Sequence, residues 1–321
     1  MCFIVPDISV IICTRNPRED YLRRVLEALR AQTLPLKDWE LLVLSVATDG
    51  PLSGRFDISW HPNARFILEE KIGKTHALLR AIAESQGELL AIVDDDNVLR
   101  TDFLENGLKI SADYPWLGAW GGSCIAEFEV EPPAELRPWL EGLTIEKLAT
   151  SFWAKLPRGN EALPSGAGMM VRRKQALYYR EQVLHDPARQ ALGPNGQPAN
   201  GGEDSDMALC GFNLGLGTGR FPELELTHLI PARKLTLKFL ENLYEAIGYS
   251  GTMLGAIHDQ AKLHPGQVQM GIRRFLLLRI LMLITGKSRA ERRIRLAKEK
   301  GALRALRDLD RLNYRRPPTA G

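Results

Sequence analysis

Between residues 8 and 93 short β-branched runs alternate with stretches of helical periodicity, and that alternation leaves few ways to fold. ISVII (8–12) precedes a segment in which Leu22, Val25, Leu26 and Leu29 are spaced for one helical face. Asn16 as N-cap, Pro17 at the first helical position and Glu19 three residues after the cap mark where that helix is expected to start. WELLVL (39–44) and ARFILEE (64–70) read as the second and third strands, THALLRAIAES (75–85) as a helix, and LLAIV (89–93) as the fourth strand. Strands apolar on both faces and alternating with helices imply an α/β protein with a mostly parallel sheet covered on two sides. Ligands of such sheets sit beyond the carboxyl ends of the strands. Residues 14–16 occupy that place for the first strand, and Asp94, Asp95 and Asp96 occupy it for the fourth.

Further along, a helix is expected near 101–112, a strand at 119–130 (AWGGSCIAEFEV), and another within PSGAGMMVRR (164–173). GPNGQPANGGED (193–204) is too glycine-rich to be regular, and such loops often serve as lids or binding loops. From Pro231 the chain looks helical to its end. With 321 residues, one domain plus an appendage is the natural division: an α/β domain over 1–232 and a basic helical extension over 233–321. The extension carries 19 Lys and Arg against 7 Asp and Glu, while the rest of the chain carries 23 against 32. A basic tail on an acidic body suits an anionic partner, and a solvated helical face is the plainer reading. The four cysteines form no CxxC pair, so neither a zinc site nor a disulfide framework is indicated, and a reducing, cytoplasmic setting is expected. MCFIVPDISV has the form of neither a standard signal nor a membrane span.

Neither GxGxxG nor GxxxxGK[ST] occurs, which removes the two commonest nucleotide-binding fingerprints. Three adjacent carboxylates at a strand end repel one another and are costly to desolvate unless a cation neutralises them. Hard oxygen ligands of this kind favour Mg2+ or Mn2+, held jointly with a substrate's phosphates. A solvated acidic turn ahead of the next helix is the alternative. GGEDSDM (201–207) offers Glu203, Asp204 and Asp206 either as ordinary helix-start charges or as a general base facing a diphosphate. His228, in ELELTHLIP, is a metal ligand or a half-buried histidine.

Taken together and in order, TRN after the first strand, Gly73-Lys74-Thr75 at a helix start, VDDDN, a GAG stretch, GGED and THLIP resemble family 2 glycosyltransferases of the GT-A fold. The likeness spans about residues 7–235 and is nearest to bacterial members that build cell-surface polysaccharide. It implies that Asp94 faces the donor's ribose and Asp96 holds a metal bridging the diphosphate, with Asp95 between them on the donor side. Asp204 matches the usual catalytic base, with Glu203 beside it, and His228 matches a histidine that approaches the metal or diphosphate. Thr14 and Arg15 line the nucleotide pocket by the same likeness, and Gly166 to Gly168 lie where the acceptor side is commonly formed. Lys71, Lys74 or Arg15 would supply a cation for the leaving group. The implied partners are a nucleotide-sugar donor and a glycan or lipid-linked acceptor. The chain departs from the pattern where an aspartate usually ends the second strand, which here has Ser45 with Asp49 four residues later. It departs again at Leu78, where an arginine often faces the diphosphate. A scaffold paralogue with a decayed donor site is therefore the non-enzymatic alternative. A sugar nucleotidyltransferase would need a glycine-rich basic loop after the first strand, which CTRNPRED does not supply.

In the tail, residues 273–300 join a ten-residue apolar run, broken by Arg279, to a dense basic stretch. Such a segment is too short to span a bilayer and suited to lie on an anionic one, peripheral to the inner face of the cell membrane. The competing expectation is a helix that packs on protein through Leu276, Leu277, Ile280, Leu281 and Ile284. Nucleic acid ranks below both, because aromatic residues are sparse among these arginines.

Overall fold

A computed structural model describes residues 5–46, 50–156, 161–193, 201–258, 266–284 and 287–314. In chain order the first elements are β1 (Ile8–Thr14), α1 (Glu19–Arg30), β2 (Trp39–Val46), β3 (Ala64–Glu69), α2 (Lys74–Glu84) and β4 (Leu89–Val93). They are followed by β5 (Asn97–Leu99), α3 (Phe103–Asp113), β6 (Leu117–Phe128), β7 (Phe152–Ala154), β8 (Met169–Arg172) and α4 (Arg173–His185). The last are α5 (Pro187–Gln190), α6 (Glu203–Cys210), β9 (Gly217–Ile230), α7 (Leu237–Ile257), α8 (Gln267–Ile284) and α9 (Arg289–Arg311). Two compact units interleave along the sequence. One comprises Met1–Glu127, Thr144–Gln182 and Met207–Leu229, and the other comprises Phe128–Leu143, Val183–Asp206 and Ile230–Gly321.

The described strands form one sheet in the order β3-β2-β1-β4-β8-β6-β9-β5, with β7 paired to β9. β1 to β4 pair in parallel, as the alternation with helices requires. β8 then runs antiparallel to β4 and β6, and β5 and β7 run antiparallel to β9, so the sheet changes character after the first four strands. Ile8, Val10 and Ile12 share a core with Leu22, Val25, Leu26 and Leu29 of α1. Ile11, Leu42 and Leu44, at the alternate positions, are fully buried too, so both faces of this half are covered. Each such side chain contributes about 1.5–3 kcal/mol of gross burial energy. The buried Glu40 is compensated: its Oε1 accepts from Ser9 Oγ and Gln86 N, both at 2.6 Å, and Arg65 stands 3.5 Å from Oε2.

One local expectation fails. α1 starts at Glu19, with Arg18 ahead of it in an extended conformation and no side-chain cap, while Asn16 has φ of +50°. The residue before a proline is pushed out of the right-handed helical region, and asparagine tolerates the left-handed one. Asn16 therefore turns the chain at the end of β1 and does not cap a helix.

In the second unit, α7 and α9 pack closely. A Cβ on Gly301 would stand 1.9 Å from the Glu245 carbonyl oxygen, and one on Gly248 would stand 1.9 Å from that of Lys298. Thr236 caps α7 by accepting from Phe239 N, and Ser288 caps α9 by accepting from Glu291 N. Part of the tail's positive charge is spent on α7, where Glu241 meets Arg293 and Glu245 meets Lys300 at 2.9 Å. α8 meets Leu303 and Leu306 of α9 at Gly271, and Met282 is buried, whereas Leu276, Leu277, Ile280 and Leu281 are exposed. No other described part of the chain covers these four side chains. Among the described residues no helix is long and apolar enough to cross a membrane.

Candidate active site

The three aspartates form the turn between β4 and β5, and each meets a different partner. Asp94 Oδ1 lies 2.7 Å from Lys74 Nζ, at the first residue of α2. Asp95 accepts a hydrogen bond from the Thr14 hydroxyl at the end of β1. Asp96 Oδ2 faces His228 Nε2 of β9 at 3.5 Å, and its Oδ1 accepts from Asn97 Nδ2 at 3.2 Å. Burial raises the Asp95 carboxyl above its usual range; the Thr14 bond opposes this, and the charges of Asp96 and Asp94 add to it.

The turn is fixed by Asn97, which is 1% exposed. Its N–H donates to the Asp94 carbonyl at 3.1 Å, its Oδ1 accepts from Asp94 N at 3.4 Å, and it pairs with His228 across β5 and β9. Leu229 N donates to the Asp96 carbonyl at 2.9 Å, closing the same strip. Sequence reasoning gave Asn97 no task, although its place directly after the aspartates was a usable signal. The structure thus brings Thr14, Lys74, Asp94, Asp95, Asp96 and His228 together, and Arg15 lies exposed on the loop beyond β1.

The spacing of Asp96 Oδ2 and His228 Nε2, 3.5 Å, fits a shared divalent ion. A carboxylate oxygen and an imidazole nitrogen face one another across a gap close to the ~3 Å that separates adjacent ligands of an octahedral ion with bonds of about 2.1 Å.

Glu203 and Asp204 belong to the other unit, at the start of α6. Glu203 is buried and Asp204 half-buried, with Ser205 N donating to Asp204 Oδ1 at 2.7 Å. Asp206, fully buried one turn on, binds Arg189 and stands 2.6 Å from His258 Nε2. Those partners come from distant segments and carried no signal in the sequence. Of the acceptor-side glycines, Gly168 has φ of +67°, and a Cβ there would meet Leu226 at 2.6 Å and Phe103 at 3.0 Å. Its conformation and its packing against β9 both require glycine. Gly166 is buried, and its carbonyl accepts from Met169 N. Ser45 lies 6% exposed at the end of β2 and Leu78 2% exposed in α2. Asp49 and residues 194–200 of the glycine-rich loop lie outside the described residues.

A sheet with a parallel N-terminal half, an acidic turn after its fourth strand and a basic residue opposite it is the GT-A architecture of enzymes that use nucleotide-sugars. The model of glycosyl transferase family 2 matches residues 9–174, just over half of the chain, and the chain belongs to that family. An N-acetylglucosaminyltransferase of Bradyrhizobium diazoefficiens is 25% identical over 237 residues, which cover 71% of this chain and 46% of that protein. The chain thus spans less than half the length of this curated relative. Among solved structures, S. aureus TarS 1-349 superposes with a TM-score of 0.50 at 10% identity, covering 96% of this chain and 92% of that one. The same protein in complex with UDP matches with a TM-score of 0.50 at 12% identity and the same coverage. At identities of 10–12% the superposition shows a shared fold alone.

Proposed function

We propose that the chain transfers a sugar from a nucleoside-diphosphate sugar to a hydroxyl of a glycan or lipid-linked glycan acceptor, with inversion at the anomeric carbon. The observation that carries this reading is the gathering of Thr14, Lys74, the three aspartates and His228 around the carboxyl ends of β1 and β4 in a family 2 chain. We assign catalysis to residues 1–232, with 233–321 as an extension. Asp94 receives the donor's ribose, with Asp95 and Thr14 fastening the turn beneath it. Asp96 and His228 hold Mn2+ or Mg2+, and the imidazole favours manganese. When bound, the ion places positive charge beside the diphosphate, where negative charge grows as the leaving group departs. Lys74 and Arg15 add fixed cations on the same side.

Asp204 takes the acceptor's hydroxyl proton while that oxygen bonds to the anomeric carbon. The bond from that carbon to the phosphate oxygen breaks on the opposite face, and its electron pair leaves with the nucleoside diphosphate. Glu203 stands beside Asp204 in the first turn of α6, and Gly166 and Gly168 border the acceptor. The name of the Bradyrhizobium relative and the UDP bound by TarS make UDP-N-acetylglucosamine the first donor to try.

Incubation with UDP-N-acetylglucosamine, UDP-glucose and GDP-mannose in the presence of Mn2+ should release nucleoside diphosphate from one of them. Asp204→Asn should lower kcat by about 10²–10⁴-fold with little change in donor KM. Full activity in that variant would remove Asp204 as the base. Activity indifferent to both chelation and Asp96→Ala would remove the metal. A second reading, a nucleotide-binding paralogue without transferase activity, is favoured by the burial of Ser45 and Leu78 where donor-gripping side chains are usual. Calorimetric UDP binding without turnover on any donor would select it.

A further inference from the structure

α8 turns its apolar side outward. Leu276, Leu277 and Ile280 are 50, 58 and 58% exposed, Met270 is 54% and Leu281 is 39% exposed. At 3.6 residues per turn these five side chains fall within an arc of about 140°. The opposite side of the helix is the one that packs: a Cβ on Gly271 would lie 3.0 Å from Leu306 and 3.2 Å from Leu303 of α9, and Met282 is 7% exposed. Arginines are placed with equal regularity. Arg273 lies within the apolar arc near its amino-terminal end, and Arg274 and Arg279 flank the arc on its two sides. Arg274 donates to Glu299 at 2.6 Å while its side chain stays 75% exposed.

We propose that this face of α8 is a docking surface for an anionic lipid bilayer, with the helix lying in the plane of the interface. The leucines and Ile280 enter the boundary between headgroups and acyl chains, and the arginines extend their stems along the apolar surface to reach phosphate. Charge complementarity separates this occupant from a second copy of the chain. A two-fold copy seated on the same face would bury Arg273 within an apolar patch, at a desolvation cost with no compensating acid on this face of α8. A bilayer leaves each guanidinium wet and opposite negative charge. At 18 residues with three arginines the helix is suited to lie on a membrane and not to cross one. The inference goes beyond glycosyl transfer and does not depend on it.

The test is flotation of the full-length chain with phosphatidylcholine vesicles and with vesicles that also contain phosphatidylglycerol. The chain should float with the anionic vesicles, less so with neutral ones, and less again as salt is raised. Arg273→Gln and Arg279→Gln should each weaken binding about fivefold. Leu277→Gln combined with Ile280→Gln should weaken it about tenfold or more. Far-UV circular dichroism checks that the double variant is folded, and if it is not, the arginine variants decide. A wild-type chain that stays at the bottom with anionic vesicles overturns the proposal, as does a folded double variant that floats undiminished. A concentration-dependent dimer that the double variant dissolves, without flotation, would assign the face to a second copy. Donor turnover is not read in this assay, so its failure and that of the transferase reading are separable.

Discussion

The sheet of β1 to β4 and the helical layer of α7 to α9 are both rich in leucine and isoleucine at regular spacing, yet they use that regularity in opposite ways. In the first, both faces of β1 and β2 close: Leu22, Val25 and Leu29 of α1 are buried against one side of the sheet, and Ile11, Leu42 and Leu44 are buried on the other. In the second, α7 and α9 close tightly on one another while α8 leaves Leu276, Leu277 and Leu281 exposed. Periodicity announces that a helix has an apolar face. What covers that face is decided by the neighbouring elements, and no described element of the chain covers that of α8.

The largest expected effect sharpens the first half of the contrast. Leu41→Ala, at a fully buried position shared between β1 and β3, should cost about 2–5 kcal/mol in urea unfolding, because the sheet is covered on both sides and cannot collapse into the cavity. A cost under about 1 kcal/mol would mean that this half is packed more loosely than its burial implies.

Gly301→Ala examines whether the second unit has a core as strict as the first. The added methyl group would meet the Glu245 carbonyl, so α7 and α9 must part. A net loss of about 1–3 kcal/mol is expected, even after the roughly 1 kcal/mol that alanine gains over glycine in a helix. A neutral or stabilising result would show that these helices can separate freely.

A smaller effect comes from a polar group that the first unit hides. His61 is 2% exposed, packed edge-on against Trp39 with ring centroids 4.1 Å apart, and its Nδ1 accepts from Asn63 N. Burial lowers its pKa from 6.5 to about 4. Between those values the unfolded chain binds the proton and the folded chain does not. The stability this contributes is present in full above the unfolded value and is lost as pH falls toward the folded one. Wild-type stability should therefore fall by about 1 kcal/mol from pH 6 to pH 5 relative to His61→Phe, which keeps a ring against Trp39 but does not titrate. Parallel pH profiles for the two proteins would contradict the burial.

Much of this was legible from residues alone, for physical reasons that differ by region. β4 ends at Val93 as LLAIV implies, because a fully buried strand is an uninterrupted apolar run bounded by charge. The meeting of Thr14 with the aspartates followed from the rule that parallel strands present their carboxyl ends together, whereas Lys74 was one of three cations suggested only by the family resemblance. The turn at Asn16 was misread because a proline at a helix start and a proline after a left-handed residue look alike in sequence. The antiparallel half was harder: β5 has only three residues, and β8 and β9 are paired by strand order and not by local pattern. Asn97 was hidden in plain sight beside the acidic run. Arg189 and His258, which reach the buried Asp206, have no local signature because burial of a charge is a property of the assembled fold.

The smallest expected effect tests the other half of the contrast. Leu277 has the same residue type as Leu41 and sits on an equally regular element, but it is 58% exposed. Removing its side chain takes little apolar surface out of contact with protein, so Leu277→Ala should change the unfolding free energy in buffer by no more than about 0.5 kcal/mol. The same substitution should weaken binding to anionic vesicles, where those carbons are transferred out of water. A variant destabilised in buffer as strongly as Leu41→Ala would place Leu277 in a protein core, and the two regions would then differ only in which neighbour covers them.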